Sequence, residues 1–364
     1  MVLLYALGIV VLINCFYFIL FSKFSFLQTS ENNTKDSYPV SLIICAKDEA
    51  KNLKKNIPLW LAQDHPNFEI ILINDASMDD TLEVIKSFAN KDPRISIVNL
   101  ENNEAFWGSK KYALTLGIKQ AKNKRMLFTD ADCRPSSEEW ITNMSSNFSK
   151  QKQLILGYGA YEKSAGLLNA LIRYETLITA AQYFSYAKAG IPYMGVGRNL
   201  GYTSDLYYST NGFMSHMKIP SGDDDLFVNE AATRENIEIC CDINAFTYSE
   251  PKESWKAWKV QKKRHISTAK FYKSKHKILL GIYYTFNLVF WLLAGICFLL
   301  LDWKIPLFLI GVRILVQSII LGKAALKLKE KNLIPFIPFL ELFLVFIQLS
   351  IFISNSVSKP SRWK

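Results

Sequence analysis

Six cysteines and four histidines are spread thinly over the 364 residues, and no two cysteines stand in a C-x-x-C pair. That spacing indicates neither a zinc site nor a disulfide framework, and His65, His216 and His276 show no metal-like grouping. Free thiols fit a reducing compartment. Internal repeats and low-complexity tracts are also lacking. Hydrophobic residues make up 50% of the chain and aromatics 13%, which excludes intrinsic disorder. Charge is missing from whole stretches. Residues 1–22 and 278–301 carry none, 305–322 is interrupted by Arg313 and Gln317, and Glu341 is the sole charge in 333–354. A bilayer crossing needs about 20 mostly apolar residues, so all four stretches are candidate spans.

What charge there is has a telling location. The net charge is +11, and residues 252–277 hold ten Lys or Arg against one acid, Glu253. This segment abuts a span and interleaves Trp255, Trp258, Phe271 and Tyr272. Basic residues with interfacial aromatics suit the anionic lipids of a cytoplasmic leaflet, so membrane lipids are the expected partner and nucleic acid is not. The first span lacks the basic start and small-residue cleavage site of a signal peptide, and Lys23 follows it. It reads as an uncleaved anchor, with the chain from 23 onward in the cytoplasm.

The expected organisation is an anchor at 1–22, a linker at 23–38 and a soluble domain at 39–250. A basic amphipathic interface segment follows at 251–277, then two to three transmembrane or re-entrant helices within 278–354 and a basic tail at 355–364. The loop 302–304 is short enough to require a helical hairpin. The last span would put Lys359, Arg362 and Lys364 outside; either the tail is an exception to the charge rule or 333–354 is re-entrant. Arg313 and Gln317, four apart on one helix face, would meet protein, a lipid headgroup or a pore.

Within the soluble domain, strands are expected at 40–45, 68–74, 95–99 and 126–129. Helices are expected at 50–63, 79–88 and 109–121, with Pro58 implying a kink or late start. Such alternation indicates a largely parallel sheet with a crevice at the carboxyl ends of its strands. Acidic residues fall at those ends. Asp75 ends the second strand, where a carboxylate can accept from a nucleobase or ribose, or cap the next helix. Asp130 and Asp132 follow the fourth strand, and such a pair can hold Mg²⁺ or Mn²⁺ shared with phosphates. Asp223, Asp224 and Asp225 stand in a row; crowding of like charges raises one pKa, as a general base requires, unless they simply favour a helix N-terminus. Arg264, in Gln261-x-x-Arg264, could clamp a diphosphate.

These motifs resemble those of the membrane-bound inverting glycosyltransferases of family 2, relatives of hyaluronan, chitin and cellulose synthases. The likeness rests on the Val40–Glu49 run, Asn74-Asp75-Ala76-Ser77, Thr129-Asp130-Ala131-Asp132, Gly222-Asp223-Asp224 with Phe227, and Gln261-x-x-Arg264. It implies a glycosyltransferase A-type fold, an α/β domain on a Rossmann-like mixed sheet, between N- and C-terminal membrane helices. It also implies a nucleoside-diphosphate sugar donor, expected to be a UDP-sugar. The resemblance puts Asp48, Glu49, Asp75 and Asp130 at the nucleotide, with Lys110 or Lys111 near the donor. It makes Asp132, with Asp130, the ligand of Mg²⁺ or Mn²⁺ and Asp224 the base, with Asp223 beside it. Gln261 and Arg264 would meet the acceptor side and the diphosphate.

The resulting expectation is metal-dependent, inverting transfer to a lipid-linked or polysaccharide acceptor at the inner face of the cell membrane, by a monomer or an oligomer. The family's processive members have Trp after the last Arg, where this chain has His265, which favours limited transfer over polymer synthesis. Gly195–Gly201 lacks the context of a dinucleotide fingerprint and, by the resemblance, lies near the acceptor. Two rival readings are a non-catalytic nucleotide-sugar-binding subunit of an envelope glycan complex and a nucleic-acid-binding membrane protein. The first leaves the repulsive acidic cluster unexplained; the second ignores where the basic charge lies.

Overall fold

A computed structural model describes residues 1–28, 38–101 and 110–357. From the amino terminus the elements are α1 (Val2–Ser25), β1 (Val40–Ala46), α2 (Ala50–Leu61), β2 (Phe68–Asp75), α3 (Thr81–Ala89) and β3 (Ile95–Leu100). Next come α4 (Lys110–Gln120), β4 (Arg125–Asp130), β5 (Cys133–Pro135), α5 (Trp140–Ser145), β6 (Leu154–Leu156) and β7 (Gly159–Tyr161). The chain continues through α6 (Leu167–Lys188), β8 (Leu200–Thr203), α7 (Ser204–Ser209), α8 (Asp225–Ala231), β9 (Ile237–Ile239) and β10 (Thr247–Ser249). It ends in α9 (Trp255–Ala269), α10 (Ser274–Leu300), α11 (Lys304–Lys327) and α12 (Ile337–Val357).

These elements form two compact units. A sheet unit holds the described residues up to Glu162 that follow Gln28, together with Gly190–Pro251; a helical unit holds Met1–Gln28, Lys163–Ala189 and the described chain from Lys252. The expected 39–250 block is therefore interrupted, because α6 groups with the terminal helices.

In the sheet unit, seven strands run in the order β3-β2-β1-β4-β8-β6-β9. The first four are mutually parallel, whereas β8 runs antiparallel to both β4 and β6. The A-type mixed sheet is thus present. β2 is buried at every position and β1 at all but one, as uninterrupted apolar strands covered on both faces should be. Trp60, Ile57 and Leu53 of α2 join Leu42, Ile44 and Leu72 in one core with no exposed surface. Each such side chain contributes about 1.5–3 kcal/mol by leaving water. α4 approaches closely because position 117 is glycine: a Cβ there would lie 2.5 Å from Ile73 Cδ1. Pro58 does not delay α2, which starts at Ala50 and runs past it. A smaller sheet, β5-β10-β7, was not foreseen.

Among the described residues, the helical unit has four helical stretches long and apolar enough to cross a membrane: Val2–Ser25, Ser274–Leu300, Lys304–Lys327 and Lys331–Asn355. α1 buries Leu7, Val10, Val11, Phe18 and Phe21, while Tyr5, Ile9, Leu12, Phe16 and Ile19 form an exposed apolar stripe. Such a stripe at helical spacing suits a lipid solvent rather than water. Arg313 and Gln317 are fully buried. Arg313 meets Glu341 Oε2 at 2.6 Å, Gln317 Oε1 at 2.7 Å, Asn287 Oδ1 at 2.8 Å and Asn14 Oδ1 at 3.2 Å. The Phe290 ring lies 4.4 Å beneath its guanidinium. One cation thus ties α1, α10, α11 and α12 together. Of the three surroundings open to it, protein is the one in which the structure buries it.

Candidate active site

The sheet's register brings the first acidic residues to one edge. β1 pairs Ala46 with Asn74 of β2 and Cys45 with Asp130 of β4, so Asp75 and Asp130 end strands on either side of β1. Both lie at carboxyl ends, where a parallel sheet leaves its crevice. Asp75 is only 7% exposed, and burial raises its carboxyl pKa against the opposing pull of Lys47 and Lys110. It caps no helix, since α3 begins at Thr81.

The loops after β1 and β2 hold each other. Asp48 and Ala76 both adopt left-handed backbone, with φ of 55° and 50°. For Ala this costs about 1–2 kcal/mol. Cross-loop bonds offset that strain: Asp48 N–H donates to Ser77 Oγ at 3.1 Å, and Met78 N–H donates to Asp48 Oδ1 at 2.7 Å. Glu49 N–H donates to Thr81 Oγ1 at 2.8 Å, and Ala50 N–H to Asp79 Oδ2 at 3.1 Å. The carboxylate of Asp48 therefore shapes the crevice wall, and that of Glu49 accepts from Asn52 Nδ2 at 2.6 Å.

Lys110 joins the two acidic motifs. Its Nζ lies 2.7 Å from Asp130 Oδ1 and 3.0 Å from Asp223 Oδ2. Although burial works against the ammonium, the two carboxylates hold its pKa well above the usual lysine value. In return, Lys110 overcomes the burial of Asp223 and keeps that carboxyl below its ordinary pKa. Asp224, one residue on, has the opposite fate. Burial, then the charges of Asp223 and Asp225, push its pKa up to about 7. Its Oδ2 accepts from Gly197 N–H at 2.7 Å and its Oδ1 from Asp225 N–H at 2.8 Å, capping α8. Asp224 thus caps α8 and carries a raised pKa at the same time. Lys110, Asp130, Asp223, Asp224, Gly197 and Phe128 line a single recess.

Asp130, Asp132 and Cys133 can bring one ligand atom each within 4.8 Å of one another. Burial and the charges of Asp132 and Asp130 keep the Cys133 thiol pKa well above its ordinary value. Two of the three donors are carboxylate oxygens, the kind an oxygen-seeking Mg²⁺ or Mn²⁺ takes, and the third is the Cys133 sulfur.

Two basic residues deserve equal weight, one of them missed from sequence. Arg198 donates from Nη1 to Ala160 O and Ser249 Oγ, both at 3.0 Å, and lies 4.2 Å over the Tyr161 ring. Its backbone carbonyl accepts from Thr129 and Thr247. Burial disfavours its charge, yet Tyr161, Cys133, Asp132 and Asp130 together raise its pKa. The available signal was a lone cation inside the apolar, glycine-rich run 195–201. Lys111 turns away from Lys110: its Nζ donates to His216 O at 2.7 Å and Ser221 O at 2.8 Å, fixing the segment that leads into the acidic row. Burial lowers its pKa to about 8. Within that segment Gly222 has φ of 101°, a left-handed backbone that favours glycine.

Gln261 and Arg264 lie on α9, in the helical unit, whereas every residue of the acidic recess belongs to the sheet unit.

The family described as Glycosyl transferase family 2 matches residues 41–193 of this chain. These residues form a family 2 glycosyltransferase domain. Among curated relatives, the dolichyl N-acetyl-α-D-glucosaminyl phosphate 3-β-D-2,3-diacetamido-2,3-dideoxy-β-D-glucuronosyltransferase of Methanococcus voltae is 28% identical over 168 residues, 42% of this chain and 49% of that protein. The poly-β-1,6-N-acetyl-D-glucosamine synthase of Staphylococcus epidermidis is 31% identical over 117 residues, 32% of this chain and 27% of that protein. The chain thus aligns with half or less of these relatives' lengths. A mannosyltransferase from Pyrobaculum calidifontis, solved with GDP-Man and Mn²⁺, superposes with a TM-score of 0.58. The match covers 89% of this chain and 98% of that one at 16% identity, a likeness of fold. A family 2 domain and the A-type fold expected from the motifs are both borne out.

Proposed function

We propose that this family 2 protein transfers a sugar, with inversion, from a nucleoside-diphosphate donor to a lipid-linked or glycan acceptor at the cytoplasmic face of the cell membrane. A UDP-sugar is the donor we favour. The observation that carries the reading is Asp224, a carboxylate with its pKa lifted to about 7 in the recess that Asp130 also lines. A base poised near neutrality can take a hydroxyl proton as the bond forms.

In the proposed step the acceptor oxygen attacks the anomeric carbon from the face opposite the diphosphate. The new C–O bond forms as the bond to the phosphate oxygen breaks. The hydroxyl proton passes to Asp224, and the nucleoside diphosphate leaves with the electron pair. Gly197 N–H and the Asp225 N–H hold the base in place. Asp75 accepts from the base or ribose, while Asp48 and Glu49 hold the crevice wall. Asp132, with Asp130, would hold Mg²⁺ or Mn²⁺, which when bound neutralises charge on the leaving diphosphate. Lys110 keeps Asp130 and Asp223 oriented, and Arg264 with Gln261 serves the diphosphate and acceptor sides by the family resemblance. The name of the Methanococcus relative, a transferase acting on a dolichyl N-acetyl-α-D-glucosaminyl phosphate, supports limited transfer to a lipid-linked sugar. That of the staphylococcal relative supports the alternative, processive synthesis.

The purified full chain, given Mn²⁺, membrane-lipid extract and a panel of nucleotide sugars, should release nucleoside diphosphate from one donor. Release from none would overturn the enzymatic reading. A ladder of long products would replace limited transfer with polymerisation.

A further inference from the structure

The small sheet β5-β10-β7 has one register row beside the acidic pair. Ser249 of β10 lies opposite Cys133 of β5 on one side and Tyr161 of β7 on the other. Cys133 follows Asp132 directly, so this row flanks the cluster of Asp130, Asp132 and Cys133. Arg198 packs on the row. Its Nη1 donates to Ser249 Oγ and to Ala160 O, both at 3.0 Å, and the Tyr161 ring lies 4.2 Å from its guanidinium carbon. Its own carbonyl accepts from the Thr129 hydroxyl at 2.8 Å and the Thr247 hydroxyl at 2.9 Å. Glycine at 159 makes the room: a Cβ there would stand 2.9 Å from Arg198 Cβ and 3.2 Å from its Nε.

So held, the guanidinium is only half used. Both N–H groups of Nη1 are bonded, yet among the described residues no protein acceptor takes those of Nε or Nη2, and no carboxylate pairs with them. The side chain is only partly buried, so this edge is within reach of a ligand. A carbonyl, a hydroxyl and a ring face orient a cation without cancelling its charge. Two neighbouring lysines are placed differently. Lys110 Nζ is taken by Asp130 and Asp223, and Lys111 Nζ by two backbone carbonyls. Asp132 and Asp130 act on Arg198 through their charge, with no direct bond to it. A cation facing two carboxylates across such a gap suits a phosphate bound with a divalent ion, because the charges then alternate.

We propose that Arg198 is a phosphate-binding residue of the donor site, its Nε and Nη2 donating to oxygens of the donor's diphosphate beside the Asp130 and Asp132 carboxylates. The inference rests on the reading of this recess as the place where a nucleoside-diphosphate sugar binds. It gives the small sheet a task, to aim a guanidinium at the phosphates. It also supplies a cation for the leaving group within the unit that holds Asp224, whereas Arg264 lies in the helical unit. A planar fork suits that task better than an ammonium, which binds phosphate as a point charge.

The test is ligand binding by the full chain in detergent, with no acceptor and no turnover. UDP, GDP, ADP and CDP are each titrated with Mn²⁺ by calorimetry, and the nucleoside of the tightest binder is followed by saturation-transfer NMR. R198Q should bind that diphosphate about 10- to 100-fold more weakly, the range for losing hydrogen bonds to a charged group, and the bare nucleoside as the parent does. R198K, which keeps the charge and loses the fork, should fall between the two. Equal weakening for nucleoside and diphosphate would mean that Arg198 only props up the site, and would overturn the proposal. An unchanged diphosphate affinity would overturn it as well. If thermal melting shows that R198Q does not fold, R198K decides alone: diphosphate binding as tight as the parent's refutes the contact. A parent that binds none of these diphosphates would instead overturn the donor-site reading itself, and this assignment with it.

Discussion

Arg313 and Asp224 are both charged groups removed from water, and their surroundings treat that charge in opposite ways. Arg313 is met by four side-chain oxygens from three other positions of the bundle and its own helix. Each of those oxygens is opposite in polarity to the guanidinium. Asp224 has acidic neighbours on both sides, and its two closest donors are backbone N–H groups. A satisfied buried charge holds a structure in one arrangement; a crowded one is ready to change its protonation state. Burial alone therefore marks neither a structural nor a reactive residue. The sign of the neighbours decides.

The sharpest way to break this contrast is at Asp224. Asp224→Asn removes the base but keeps one amide oxygen, enough to accept from the Asp225 N–H at the start of α8 while the Gly197 N–H loses its acceptor, so α8 should persist. Transfer should fall about 10²- to 10⁴-fold, the range of general acid–base catalysis. Donor affinity, measured by calorimetry, should stay within a few-fold; its loss would mean that Asp224 serves binding instead. Next in size is the bundle. Arg313→Met alone strands the buried Glu341 carboxylate, which should cost about 3–5 kcal/mol. Thermal unfolding in detergent should reveal the loss, and R313M/E341L should recover most of it. A single variant as stable as the parent would contradict a structural role for the network.

Much of this contrast could be read from the residues, and the rest was hidden for physical reasons. β1 to β4 were legible because long buried strands read as unbroken apolar runs, and their observed ends lie within one residue of those expected. β5, β6, β7, β9 and β10 have three residues each, too few for any periodicity to register. The carboxylates were visible because acidic residues at strand ends are rare features. Their pairing was not: that Lys110 would bridge Asp130 and Asp223 depends on a register set by residues 93 and more positions apart in the case of Asp130 to Asp223. Arg198 was overlooked because its role comes through Tyr161 and β10, neither near it in sequence. Arg313 was noticed, but only the folded bundle could choose among its three possible surroundings.

The smallest predicted effect is also the most diagnostic. A base with its pKa near 7 is inactive when protonated, so kcat/KM should rise with pH and level off above that value. The same shift has a stability consequence. The native state holds a proton that the unfolded chain has released between about pH 4 and 7, so this group's contribution falls as pH rises through that window. Asp225→Asn removes one repelling charge yet retains an oxygen for the Leu226 N–H that Asp225 Oδ1 now accepts at 2.8 Å. The decisive measurement is the pH profile of kcat/KM for the parent and Asp225→Asn side by side. The account predicts that the acidic limb moves to lower pH in the variant; an unmoved limb would contradict the assignment of Asp224 as a base tuned by its acidic neighbours.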